Sequence, residues 1–265
     1  MAANPQQMSE HSCLNCGHNL AGKYCSNCGQ KSDTHRITLK HFITHDLVHG
    51  VWHIDRGLFF TVREAALRPG KAAMEYIRGK RIKYYNIFYL SLLLLGLNLL
   101  LLHYIQPYSI DLKSTGDMVI IKNFLTANTK TILLIFIPVS SFIGFILFRK
   151  SKLNILEHAV IGGFLFCGMN VLNILQILLS AFPLPVRRIF DYSIFPLIDI
   201  ILILLPAWTY YQAIADRFSG LGFAIRMIVF YILTLVFYIV IVLVILMMVN
   251  YSLTGKWEMK GSFYI

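Results

Sequence analysis

Charge is what this sequence is short of. Only 14% of its 265 residues are Asp, Glu, Lys or Arg, against about 25% in a soluble domain. Acid is the scarcer sign: 13 Asp and Glu stand against 24 Lys and Arg, a formal net charge of +11. So few charges cannot clothe a soluble surface on a chain that is 57% hydrophobic, and the deficit points to a membrane protein. Cysteine is scarce too. Four of the five cysteines lie in the first thirty residues as two CxxC pairs, a pattern that in a reducing compartment reads as metal rather than disulfides. The first thirty residues also lack an apolar core of the length a secretory signal needs, so the N-terminus is expected in the cytoplasm. No nucleophile elbow, P-loop, dinucleotide fingerprint or HExxH pattern is present. No catalytic residue is assigned, and the balance is against an enzyme.

Where the basic residues stand decides what the net charge means. Lys80, Arg81 and Lys83 precede one long apolar run, and Arg149, Lys150 and Lys152 follow another. Cations at the edges of apolar spans are the positive-inside pattern. The lipid bilayer is therefore the expected partner, and nucleic acid is not. Crossing ~30 Å of hydrocarbon takes about 20 apolar residues. Candidate spans are 87–105, 131–148, 156–181, 194–213 and 224–249, which gives an all-α membrane bundle of about five helices. An odd count sets the termini on opposite sides. The basic segments and the N-terminal head would then face the cytoplasm, with the C-terminus opposite. Arg187 and Arg188 fall on the far side of this scheme, expected over 182–192 in a short interfacial turn flanked by Pro183 and Pro185, from which they would snorkel.

Four regions follow: a head over 1–35, amphipathic juxtamembrane helices over 36–85, the bundle over 86–250 and a tail over 251–265. In the middle region, apolar residues recur at helical spacing from Thr38 and again through GLFFTVREAAL, where Pro69 should end or kink the helix. A third short helix is expected over 72–77, stopped by Gly79. These helices are too polar to span; they lie in the interface or pack on the bundle.

The sharpest chemical signal is Cys13, Cys16, Cys25 and Cys28. Two CxxCG knuckles supply four thiolates, the donor set of a closed structural zinc site. The expectation is a zinc ribbon with one zinc per chain, set against a rubredoxin-like iron site or a redox pair. Four sulfur ligands leave no open position for substrate, so this metal should fold the head and not catalyse. His41, His45, His49 and His53 recur every fourth residue, either as a polar helix face or as ligands of a second metal. Arg78, Lys80, Arg81 and Lys83 either orient the first span or contact lipid headgroups or phosphate. Asn170, Asn173 and Gln176 share a face of the third span, and Asp199 lies in the fourth. Intramembrane polar residues are functional candidates, yet Asn and Gln also serve as interhelical glue. Gly162, Gly163 and Gly168 are read as close helix contacts, and Cys167 as a small buried hydrophobe.

CLNCGHNLAGKYCSNCGQ, DRGLFFTVREAALRPG and YIRGKRIKYYN together resemble the domain-of-unknown-function 3667 family, uncharacterised bacterial inner-membrane proteins with an N-terminal zinc ribbon. The resemblance is close over roughly the first third of the chain. It implies a multi-pass protein of the bacterial cytoplasmic membrane that binds metal, and brings no reaction with it. Three functions follow: a membrane-anchored docking platform for a cytoplasmic protein through the ribbon, a transporter or lipid-handling protein using the intramembrane polar residues and the basic collar, and a membrane enzyme using the histidine stripe with a second metal.

Overall fold

A computed structural model describes residues 12–32, 34, 37, 57–105 and 135–254. Seven helices organise them: α1 (Gly57–Leu67), α2 (Pro69–Ile77), α3 (Ile87–Ile105), α4 (Ile135–Leu147), α5 (Ile155–Ser180), α6 (Leu184–Ile214) and α7 (Gly220–Thr254). Among the described residues there is no strand, only two isolated bridges in the cysteine head. Four helices, α3, α5, α6 and α7, are long and apolar enough to cross a membrane. The expected second span is represented by α4, a shorter apolar helix over Ile135–Leu147; residues 131–134 of that span lie outside the described set.

Burial is unequal among these helices. Of the most apolar stretch in each, 61% is buried in α5, against 17% in α6 and 11% in α7. The outer helices show rows of bare aliphatic side chains, among them Ile200, Ile203, Leu204, Ile232 and Leu235. Apolar surface on that scale is at ease against lipid tails and costly in water. The central helix starts from a capping box: Asn154 Oδ1 accepts from Glu157 N–H, and Glu157 Oε2 accepts from Asn154 N–H, both at 2.8 Å. Three glycines then admit three neighbours. A Cβ on Gly162 would meet Ser140 Oγ of α4 at 3.0 Å, one on Gly163 would meet Ile87 of α3 at 3.2 Å, and one on Gly168 would meet the Ala65 carbonyl of α1 at 2.5 Å. Close helix contact at these positions is as the sequence led one to expect, and each glycine faces a different partner. Cys167 is fully buried, its sulfur 3.3 Å from Ser91 Oγ.

The juxtamembrane helices pack on the bundle. Proline disfavours helical backbone at the residue before it, so the chain breaks at Arg68 and α2 begins with Pro69 in its first turn. It starts earlier than the 72–77 stretch the sequence suggested. The result is a hairpin whose first arm lies along α5 and whose second lies along both α5 and α6. Ala65, Ala72 and Ala73 are fully buried, and at Gly70 any side chain would strike the Thr209 backbone of α6. Ala65 meets α5 five residues beyond the level where α3 begins against Gly163, about 8 Å further along the axis at 1.5 Å per residue.

One expectation is corrected. The segment 182–192 is not an interfacial turn: only Ala181 to Pro183 join α5 to α6, and the fourth span expected over 194–213 is part of a 31-residue helix starting at Leu184. Pro183 and Pro185 sit before and within the first turn, where a missing N–H costs nothing, so these prolines start a helix where a turn was expected. Arg187 and Arg188 lie on that helix, and Arg187 faces Asp191 one turn on, at 3.9 Å.

Candidate metal centre and its seat on the bundle

The head is built from one small motif used twice. In each knuckle the glycine after the second cysteine donates to the carbonyl of the first: Gly17 N–H to Cys13 O and Gly29 N–H to Cys25 O, both 2.8 Å. Both glycines sit at positive φ, +75° and +76°, a conformation side chains disfavour. Each loop closes again when the N–H of the first cysteine donates to His18 O or Gln30 O, also 2.8 Å. The two turns face each other and bring Cys13, Cys16, Cys25 and Cys28 together.

Their sulfurs fit a tetrahedral ion. Zn–S bonds of about 2.3 Å put sulfurs about 3.8 Å apart; here Cys13 and Cys28, and Cys16 and Cys25, stand at 3.5 Å, and all four lie within 4.8 Å of one another. Burial pushes the Cys13 thiol up to about 11. The His18 backbone N–H is the main influence drawing Cys16 down to about 6. An ion bound here would hold all four as thiolates and release the remaining protons.

The head is seated on the segment that leads into α3. Helix α2 ends in a Schellman turn, with Lys80 N–H on Glu75 O at 3.0 Å and Gly79 N–H on Tyr76 O at 3.1 Å, Gly79 at φ +95°. Leu14 of the first knuckle lies over that glycine, where any Cβ would collide with it. Gln30 of the second knuckle is buried against the same turn. Its Nε2 donates to Gly79 O at 2.7 Å, and its Oε1 accepts from Arg81 N–H at 3.2 Å and Ile82 N–H at 3.3 Å. From Ile37, the carbonyl accepts from Asn154 Nδ2 at 3.1 Å, a tie to the start of α5.

The basic collar divides in two. Lys83 reaches Glu75 at 2.5 Å and lies over the rings of Phe60 and Tyr84. Arg81 lies over the Tyr76 ring and donates to its carbonyl. Arg78 is exposed at the end of α2, and Lys80 is half-buried. Glu75 also accepts from Tyr84 Oη at 2.9 Å and has Arg68 at 3.8 Å; Arg68 is paired with the buried Glu64 one turn back. Burial opposes ionisation of Glu75, yet the hydrogen bonds from Lys83 and Tyr84 and the two nearby cations hold its carboxyl below the ordinary value. Burial and that same carboxylate push the Tyr84 phenol up.

Among the intramembrane polar residues, Asn98 Nδ2 donates to Asn170 Oδ1 at 3.2 Å, joining α3 to α5. Gln176 Nε2 donates to Asp199 Oδ1 at 3.1 Å, joining α5 to α6. Asn173 between them is half-buried. His41, His45, His49 and His53 lie outside the described residues. Sequence reasoning missed Gln30, although it follows Gly29 as His18 follows Gly17. It also missed the acidic partners Glu64 and Glu75, and Gln212 of α6, whose Oε1 accepts from Gly70 N–H at the start of α2 at 3.2 Å.

Fold and site together define a class: a multi-helix protein of membrane-spanning character carrying a four-cysteine head fixed at the basic end of its bundle. The family described as Protein of unknown function (DUF3667), to which the sequence was likened, is matched by residues 55–95, which cover the α1–α2 hairpin, the collar and the first half of α3. No curated protein and no solved structure matches the chain.

Proposed function

We propose that this is a non-enzymatic membrane protein whose zinc-folded ribbon is a docking module held in fixed orientation on the cytoplasmic face of the bundle. The observation that carries this reading is the Gln30 clamp. A head serving only as a tether needs no defined attitude toward the membrane, whereas three hydrogen bonds from one buried amide to Gly79, Arg81 and Ile82 fix one. Tyr24 then stands 63% exposed on the head, the kind of aromatic anchor that protein interfaces favour. The closed set of four thiolates leaves no open position for substrate and suits a structural zinc. The basic segments at 149–152 and 217–226 share this end of the bundle, as Arg217 to Ser151 O and Arg226 to Leu147 O attest, and Arg78 of the collar lines one cleft with Asp216. They orient it toward the cytoplasm by the positive-inside rule.

The test places a photo-crosslinking amino acid at Tyr24 in the full-length protein in cells. A docking module gives a discrete adduct that disappears with Cys25→Ser and weakens with Gln30→Leu while membrane insertion persists. Absence of any discrete adduct, or an adduct indifferent to both substitutions, overturns the reading. The transport alternative draws less support, because Asn170, Gln176 and Asp199 spend hydrogen bonds on joining helices.

A further inference from the structure

A cleft of about 340 Å³ opens between α2 and the collar end of α6, lined by Lys71, Glu75, Arg78, Tyr211, Gln212 and Asp216 among others. Its charges fall into two groups. Glu75 is already committed to Lys83, Tyr84 and Arg68. Among the described residues no ion pair engages Lys71, Arg78 or Asp216. Lys71 and Arg78 are both exposed, two turns of α2 apart. Asp216 follows the end of α6 in the short 3-10 turn Ala215–Arg217. Gln212 holds the two sides in register, its Oε1 accepting from Gly70 N–H at 3.2 Å and Lys71 N–H at 3.4 Å.

The cleft's position is as informative as its charge. It sits at the basic end of the bundle, where the apolar surface of α6 stops. Beside it Tyr211 stacks on Trp208, with ring centroids 6.1 Å apart and planes inclined by 13°; both rings are about half exposed. Such rings settle at the headgroup level of a bilayer. A water-facing cleft beside lipid, offering two cations and one carboxylate that no ion pair engages among the described residues, has the complement of a phosphate diester that carries an ammonium group.

We propose that this cleft binds a phosphoethanolamine group, with Lys71 and Arg78 taking the phosphate and Asp216 the ammonium. Arg78 was one of four basic residues that the sequence offered for headgroup contact. Of the others, Lys83 and Arg81 are engaged with Glu75 and Tyr76, and Lys71 takes their place. Tyr211 and Gln212 supply further polar atoms at the wall. The site is independent of the ribbon's docking role, so stripping the metal is expected to abolish the Tyr24 adduct and leave this binding intact.

Full-length protein in nanodiscs of equal phosphatidylethanolamine and phosphatidylglycerol provides the test, with retained lipid read by native mass spectrometry. The wild type should keep phosphatidylethanolamine over phosphatidylglycerol. Lys71→Gln and Arg78→Gln should each weaken retention of both by about fivefold, the worth of ~1 kcal/mol per cation near the surface. Asp216→Asn should abolish the preference between the two lipids. Lys80→Gln, outside the cleft, should change neither. Soluble phosphoethanolamine is the second probe and requires no variant: displacement of lipid assigns the site to the free compound as well, and lipid retained against it assigns the site to the membrane form. Equal retention of the two lipids by the wild type, or a Lys71→Gln/Arg78→Gln double variant that retains lipid unchanged, overturns the proposal.

Discussion

The two ends of this molecule are held by different physics. At the collar end, the cysteine head, the α1–α2 hairpin and the starts of α3 and α5 are tied by named polar bonds and by glycine-permitted backbone contact. Gln30 locks onto Gly79, Arg81 and Ile82, Glu75 gathers Lys83 and Tyr84, and Gly70 lies against Thr209. The outer helices α6 and α7 bury 17% and 11% of their apolar stretches, and bare aliphatic side chains cover the rest. A bilayer satisfies such surfaces without any specific neighbour, since lipid tails are as apolar as leucine. Specificity is therefore concentrated where the chain leaves the hydrocarbon, and substitutions should be felt there first.

The largest effect is expected from the metal. On the zinc reading proposed above, Cys28→Ser removes one of the four sulfurs that would hold the ion, and a structural zinc is worth about 10 kcal/mol or more of folding free energy to so small a module. Bound zinc, counted per chain, should fall from one to none, and proteolysis should cleave residues 12–32 while the bundle stays intact. Cys167→Ala is the contrast: no loss of metal, because that thiol lies inside α5 against Ser91. Next comes the hairpin. Gly70→Ala drives a methyl into the Thr209 carbonyl, and overpacking against backbone should cost about 3 kcal/mol. Gly96→Ala in α3 meets nothing within 4 Å and should leave thermal unfolding in detergent unchanged. Equal melting of the two variants would break the comparison of collar and lipid face.

Gln30→Leu should cost about 2 kcal/mol, the net worth of the hydrogen bonds that its amide makes. It should keep the proposed zinc, yet hydrogen exchange should accelerate at Ile82, while Arg81 N–H keeps Gly79 O at 2.9 Å. Lost zinc in that variant would mean that the clamp and the metal fold as one unit. The smallest effect is one of pH. The folded-state pKa of Glu75 is lowered, so its contribution is fully present above the unfolded value of about 4.3 and fades as pH falls through the folded value. There the unfolded state binds more protons, and stability rises with pH. Since Glu75 and Lys83 are partly exposed, the contribution is about 1 kcal/mol. It should vanish in Glu75→Gln when melting is followed from pH 6 down to 3.

Much of the architecture was legible because membrane spans are written in one-dimensional terms. A run of apolar residues bounded by GKR at one edge gives a helix over 87–105 whatever it packs against. The CxxCG pairs are equally local, for their geometry is set within five residues by the glycine's positive φ. The expectation failed at 182–192, where two prolines and two arginines looked like a turn. Proline at a helix start is favourable, and the same residues that break a helix interior begin one. The collar cations were visible as charge, but their division was not. Whether Lys83 is spent or free depends on Glu75, eight residues earlier on a helix whose orientation only packing fixes.

The sequence by itself determined the membrane character, the four-thiolate donor set, the break at Pro69 and the basic edge of the bundle. Each follows from composition or from spacing within a few residues. Only the tertiary structure decided where the head sits and which cations are paired among the described residues. It also decided that α1 packs along α5 and α2 along both α5 and α6. Those outcomes depend on residues far apart in the chain, Gln30 with Gly79 and Gly70 with Thr209 and Gln212, whose meeting is set by backbone approach and hydrogen-bond geometry that no local pattern encodes.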